Sequence, residues 1–230
     1  MAVMTLTRST IGKKVIMAVT GLVWIGFLVF HMYGNLKVYN GAEYFNHYAE
    51  FLREMGSPLF GHLHILTILR ILVTVAVLLH IWAAVSLTRA ARNARPQNYE
   101  MKRLVQADYA SITMRYGGLV IALFLLYHLA HFTWGLIPIP GGFITGDAYH
   151  NLVGGFQNIF NVLFYLIAVA ALGLHLYHGT WSMFQTLGFN NQKYDSTLRG
   201  AALVLGILMF LGFAIVPLSV LFGFVKLPLQ

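Results

Sequence analysis

No cysteine occurs among the 230 residues. That removes disulfides, thiolate-bound iron, cysteine-ligated iron–sulfur clusters and any cofactor anchored through a C-x-x-C-H motif. Acidic residues are nearly as scarce, with seven in the chain, and none falls inside the long apolar segments described below. Charged residues of both signs make up 10% against 58% hydrophobic, and the mean hydropathy is +0.71. That balance excludes an ordinary soluble domain. Tandem repeats and low-complexity tracts are absent too.

What is present is apolar and long. Five segments, Val15–Tyr33, Leu63–Leu87, Tyr116–Leu136, Phe156–Phe184 and Ala201–Phe224, each hold the roughly 20 mostly apolar residues that a bilayer core demands. The first follows basic residues, as a signal peptide does, but its apolar run is too long, and it is read as retained. The connections are short and leave no room for a soluble domain. The expected fold is therefore all-α, a single membrane bundle of five transmembrane helices covering residues 1–230.

Basic residues are distributed unevenly. Arg8, Lys13, Lys14, Arg89, Arg92, Arg95, Lys102, Arg103, Arg115, Lys193 and Arg199 fall on the N-terminal side and its two loops, eleven of the fifteen. The opposite side has Lys37, Arg53 and Lys226, and Arg70 stands within the second span. The positive-inside rule then places the N terminus in the cytoplasm and the C terminus outside, in a multi-pass protein of the cell membrane. The net charge of +8 is largely this loop bias, and no nucleic-acid partner is expected.

Histidines occupy the spans, where an ionisable group is costly and marks function by default. At about 1.5 Å per helical residue, His31 lies about 24 Å into the first span and His128 about 18 Å into the third, which enters from the same face. By the same rise, His80 lies about 25 Å into the returning second span and His175 about 28 Å into the fourth. Because the chain alternates direction, His80 and His175 fall toward the inner face, His31 and His128 toward the outer. Two imidazole pairs at two depths are what two stacked b-type haems require, each iron six-coordinate and closed to oxygen chemistry.

Each histidine also has an ordinary reading, a hydrogen bond to a neighbouring helix. His131 and His178 follow candidates by three residues and share their helix faces, so depth does not separate His128 from His131. His47, His62, His64 and His150 sit in connections or at span ends. Gly21, Gly26, Gly34, Gly117, Gly118, Gly173 and Gly179 lie in or beside the histidine-bearing spans. They suit either the close approach of a flat macrocycle or plain helix packing. Arg70 has no acidic partner in any span; a propionate of the outer haem or snorkelling to the interface would satisfy it. Lys13 and Lys14 are positioned as interfacial anchors. Glu43, Glu50 and Glu54 fit either proton exchange or solvated loop charges.

Several segments together resemble a known family. The opening STIGKKVIMAVTG (Ser9–Gly21), His31 followed by Asn35, GAEYFN (Gly41–Asn46), the interval Arg115–Gly118–His128 and HLYHGTWS (His175–Ser182) are similar, in order, to the membrane cytochrome b subunit of succinate dehydrogenases and fumarate reductases. The resemblance is to the five-span, two-haem type and favours His128 and His175 over their neighbours. The absence of histidine from the fifth span agrees with it.

The resemblance implies a membrane anchor for a flavoprotein subunit and an iron–sulfur subunit. His80 and His175 would hold the inner haem b, His31 and His128 the outer, with electrons passing to or from a quinone, menaquinone being the usual one for such anchors. A cytochrome b subunit of a membrane hydrogenase or formate dehydrogenase is the nearest alternative. A small transporter with intramembrane histidines is an alternative of another class.

Overall fold

In a computed structural model, residues 7–94 and 109–228 are described, with the side chains of 109–113 left aside. Arg95, Lys102 and Arg103, three of the residues behind the charge bias, lie outside the described residues. All regular structure among the described residues is helical.

Among the described residues, five helices are long and apolar enough to cross a membrane. They are α1 (Thr10–Leu36), α3 (His64–Asn93), α4 (Tyr109–Phe132), α6 (Ile159–Thr186) and α7 (Asp195–Leu221). Two shorter helices, α2 (Ala42–Glu54) and α5 (Ala148–Phe156), lie in the connections. The face at which α1 begins is called here the N-face, and the face at which α7 ends the C-face.

Capping explains where the helices start. Ser9 accepts from Gly12 N at 3.0 Å to open α1, satisfying an amide that the helix itself cannot. Asp147 does the same for α5, accepting from His150 N at 2.8 Å, and Asn158 opens α6 with a 2.9 Å bond from Phe160 N. These last two caps correct the expected bounds. Phe156 closes α5 rather than opening the fourth span, because Asn158 begins a separate helix two residues later.

The third span runs seven residues earlier than the expected Tyr116 and stops at Phe132, so Leu136 falls in the turn that follows. The fifth begins at Asp195 rather than Ala201 and ends before Phe224. The connections on the C-face are therefore folded, not bare loops. Asn46 on α2 ties them together, donating to Asp147 Oδ1 and accepting from Tyr149 N, both at 2.9 Å.

Helix α6 packs along α7 and α4, while α1 packs along α3 and touches α6 and α7. Trp24 pins α1 to α3 by donating to Val73 O at 3.1 Å. Gly173 and Gly206 let α6 and α7 approach to backbone contact; a Cβ on Gly206 would lie 2.6 Å from Gly173 O. That glycine pair serves helix packing, in the manner of small residues at membrane interfaces. By contrast, α1 with α4 and α3 with α6 share no extended backbone packing.

The larger buried cluster sits at the C-face, with Val38, Phe45, Tyr149, Leu152, Val153, Phe156, Val162 and Tyr165 among its members. A smaller one, Leu28, Leu176 and Met209, lies mid-bundle. Most large apolar side chains of α3 are exposed, as are Phe30 on α1 and Leu123 and Leu126 on α4, as surfaces meant for lipid must be.

Candidate functional site

The helices that share no extended backbone packing meet at histidine. His31 on α1 and His128 on α4 bring their ring centroids to 5.8 Å at 86°. His80 on α3 and His175 on α6 approach to 6.2 Å at 58°. The four candidates thus meet as two pairs, grouped as their depths in the sequence require.

Thr20, buried on α1, gives its hydroxyl proton to the carbonyls of Ile16 (2.7 Å) and Met17 (3.1 Å). Its oxygen therefore acts as acceptor toward His80 Nδ1 at 3.2 Å. A hydrogen on His80 Nδ1 donated to that oxygen would leave Nε2 with its lone pair. Glycine backbones flank this pair: a Cβ on Gly21 would stand 3.5 Å from His80 Cε1, and one on Gly118 3.7 Å from His175 Cε1. His175 Nδ1 is buried without a hydrogen-bond partner among the described residues.

The C-face pair sits among aromatic rings. Phe27 stacks on His31 at 5.2 Å and Phe213 lies at 6.0 Å, while Phe124 and Phe132 each stand 5.7 Å from His128. The Tyr165 hydroxyl reaches His128 Nδ1 at 3.3 Å and His131 Nδ1 at 3.1 Å. His131 is fully buried and does not face His31.

Other sequence candidates lie apart. Arg70 is exposed on α3 and makes no hydrogen bond or ion pair among the described residues. Lys13 sits 5.9 Å over the Trp82 ring at the N-face. Glu50 pairs with Arg53 at 2.6 Å, and Glu50, Glu54 and His62 form an exposed group at the surface. His64 accepts from Gly61 N at 3.1 Å, and His150 lies 3.0 Å from Gly142 O; both tie down turns. Thr20 and Tyr165 were invisible to sequence reasoning, since neither carries a motif; only their placement against imidazoles marks them.

Residues 91–220 match the family described as succinate dehydrogenase/fumarate reductase transmembrane subunit. The chain belongs to that family. The match spans α4 to α7 with His128 and His175, and leaves His31, Arg70 and His80 outside it. Comparison with curated proteins and with solved structures gave no match. Membership makes the chain a multi-pass membrane subunit of an oxidoreductase complex, and the hydrogenase, formate dehydrogenase and transporter alternatives give way to it.

The family is in general of the cytochrome b type that binds haem and quinone, so the histidine pairs can be tested against haem. Two imidazoles on one metal, each bonded at about 2 Å, put their ring centroids about 6 Å apart. Separations of 5.8 and 6.2 Å fit. So does the absence of extended backbone packing between the helices that carry each pair.

Proposed function

We propose that this transmembrane subunit holds two haems b and serves as the membrane anchor and electron-transfer subunit of a succinate:quinone oxidoreductase. When bound, each haem would supply a one-electron relay. His80 and His175 would hold the haem at the N-face, His31 and His128 the one at the C-face. The observation that carries this reading is the pair of facing imidazole couples between helices that share no extended backbone packing.

The chain's own residues bind and orient. Thr20 fixes the tautomer and plane of His80, the usual role of a hydrogen-bond partner behind a ligand imidazole. Phe27 and Phe213 wall the C-face pair with apolar surface, which keeps the local dielectric low. Arg70 is assigned to a propionate of the C-face haem, because a guanidinium in a span needs an anion and the described residues offer none.

The positive-inside rule supports a cytoplasmic N-face in the cell membrane, with the whole chain forming one membrane domain. The N-face pair would then stand nearer the iron–sulfur and flavoprotein subunits, which carry the dicarboxylate chemistry. The C-face pair extends the path toward the quinone, read here as menaquinone.

A reduced-minus-oxidised visible spectrum with haem quantitation on the purified complex tests the reading. Two b haems per chain, together with a co-purifying flavin subunit, are expected. A spectrum without haem bands would overturn it.

A further inference from the structure

Tyr165 lies between two histidines and has one proton to give. Its hydroxyl is 3.3 Å from His128 Nδ1 and 3.1 Å from His131 Nδ1, so the two nitrogens cannot both be acceptors from it. If His128 binds iron through Nε2, its Nδ1 bears the hydrogen and must donate to the Tyr165 oxygen. The Tyr165 proton is then directed to His131 Nδ1. His131 in turn carries its own hydrogen on Nε2, a nitrogen that is buried without a hydrogen-bond partner among the described residues.

Packing alone does not account for His131. A fully buried imidazole with one unsatisfied nitrogen costs stability that a phenylalanine or leucine there would not. The site nonetheless holds the ring firmly. Phe132 stacks on it at 4.0 Å, Tyr127 stands at 5.7 Å and Phe156 at 6.4 Å. A Cβ on Gly155 would come within 2.8 Å of its Nε2. Tyr127 is itself tied through Asn161 to the Gly155 carbonyl, at 2.8 and 2.9 Å.

We propose that Tyr165 and His131 form a positioning relay behind His128, ordered His128 Nδ1–H to Tyr165 oxygen and Tyr165 O–H to His131 Nδ1, which sets the potential of the C-face haem. The relay rests on the ligand assignment proposed above. An acceptor behind a ligand imidazole raises its basicity and stabilises the oxidised metal. Donation from Tyr165 to His131 fixes which way the phenol points, and in a dry site consecutive hydrogen bonds reinforce one another.

The test is a redox titration of the haem-loaded complex, followed optically and by low-spin ferric EPR, with the N-face haem as internal reference. Tyr165→Phe should raise the midpoint potential of the C-face haem alone. The expected change is about tenfold in its reduced-to-oxidised ratio at fixed ambient potential, about 59 mV for one electron. His131→Leu should move it in the same direction by less, and His131→Gln, which restores an acceptor, should bring it back.

An unchanged or lowered C-face potential in Tyr165→Phe with both haems present, or equal shifts of both haems, overturns the relay. Should Tyr165→Phe not assemble, the His131 pair decides: a shift in leucine reversed by glutamine supports the relay, and equal potentials overturn it. Failure of the underlying reading looks different. Loss of a haem from His131→Leu, or retention of both in His128→Ala, reassigns the ligand and removes the relay with it.

Discussion

The two histidine pairs are alike in spacing and unlike in surroundings. At the C-face, His31 and His128 lie beneath a roof formed by α2, α5 and the turns around them, with aromatic rings on several sides. At the N-face, His80 and His175 are bordered by bare glycine backbone, and one threonine does the orienting. The contrast teaches that paired ligands set what is bound, while the neighbours set how that group behaves. Burial, nearby charge and the atom behind each imidazole are the levers on potential, and the two faces use different ones.

Removing ligands should break the comparison outright. His80→Ala and His175→Ala should lose one and the same haem, His31→Ala and His128→Ala the other, each leaving about half the haem by quantitative spectroscopy. Loss of the same haem from His80→Ala and His128→Ala would defeat the pairing.

The roof is the next point to disturb. Asn46→Leu removes both bonds that tie α2 to the start of α5, leaving Tyr149 N without its acceptor and Asp147 Oδ1 with its cap bond from His150 N. A loss of about 1–3 kcal/mol is expected, read as a lower Tm and as faster exchange of amides in 42–54 and 148–156. The N-face haem spectrum should stay as it was.

Charge should have a smaller effect. Arg70→Leu takes a positive charge from the C-face half of α3, and positive charge favours the added electron. The C-face midpoint potential should fall, and the N-face potential should move less. A larger shift at the N-face, or no shift at either face, would return Arg70 to the reading of an interfacial anchor.

Smallest of all should be Thr20→Val, close in shape but lacking the acceptor oxygen behind His80. It should raise the N-face potential slightly and leave the C-face potential alone. Movement of both would mean that Thr20 acts on α1 packing rather than on His80.

Much of this arrangement was legible in the chain. Five apolar runs gave five crossing helices, and helical rise placed His31 with His128 and His80 with His175. The interval between His128 and His131 was not decidable by depth, since three residues apart on a helix is one face. What separates them is the partner across the bundle, His31 for one and the Tyr165 hydroxyl alone for the other among polar groups.

Helices α2 and α5 escaped notice because short amphipathic or mixed segments carry little hydropathy signal, and their caps, such as Asp147, resemble ordinary loop residues. Gly173 looked like a candidate for cofactor approach and instead meets Gly206. Tyr165 and Thr20 had no signature at all. Their roles depend on which helix lies opposite, and that is a property of the fold rather than of any local stretch.

The absence of extended backbone packing between α1 and α4, and between α3 and α6, bears on how the subunit is assembled and handled. A group held between the imidazoles of each pair would add cohesion where these helices share no extended backbone packing. Such a ligand adds to folding stability by mass action, in proportion to the logarithm of its free concentration over Kd. On the proposed di-haem reading, cells starved of iron or of porphyrin should accumulate a looser, more readily degraded anchor, and supply of the prosthetic group would control how much complex the membrane holds.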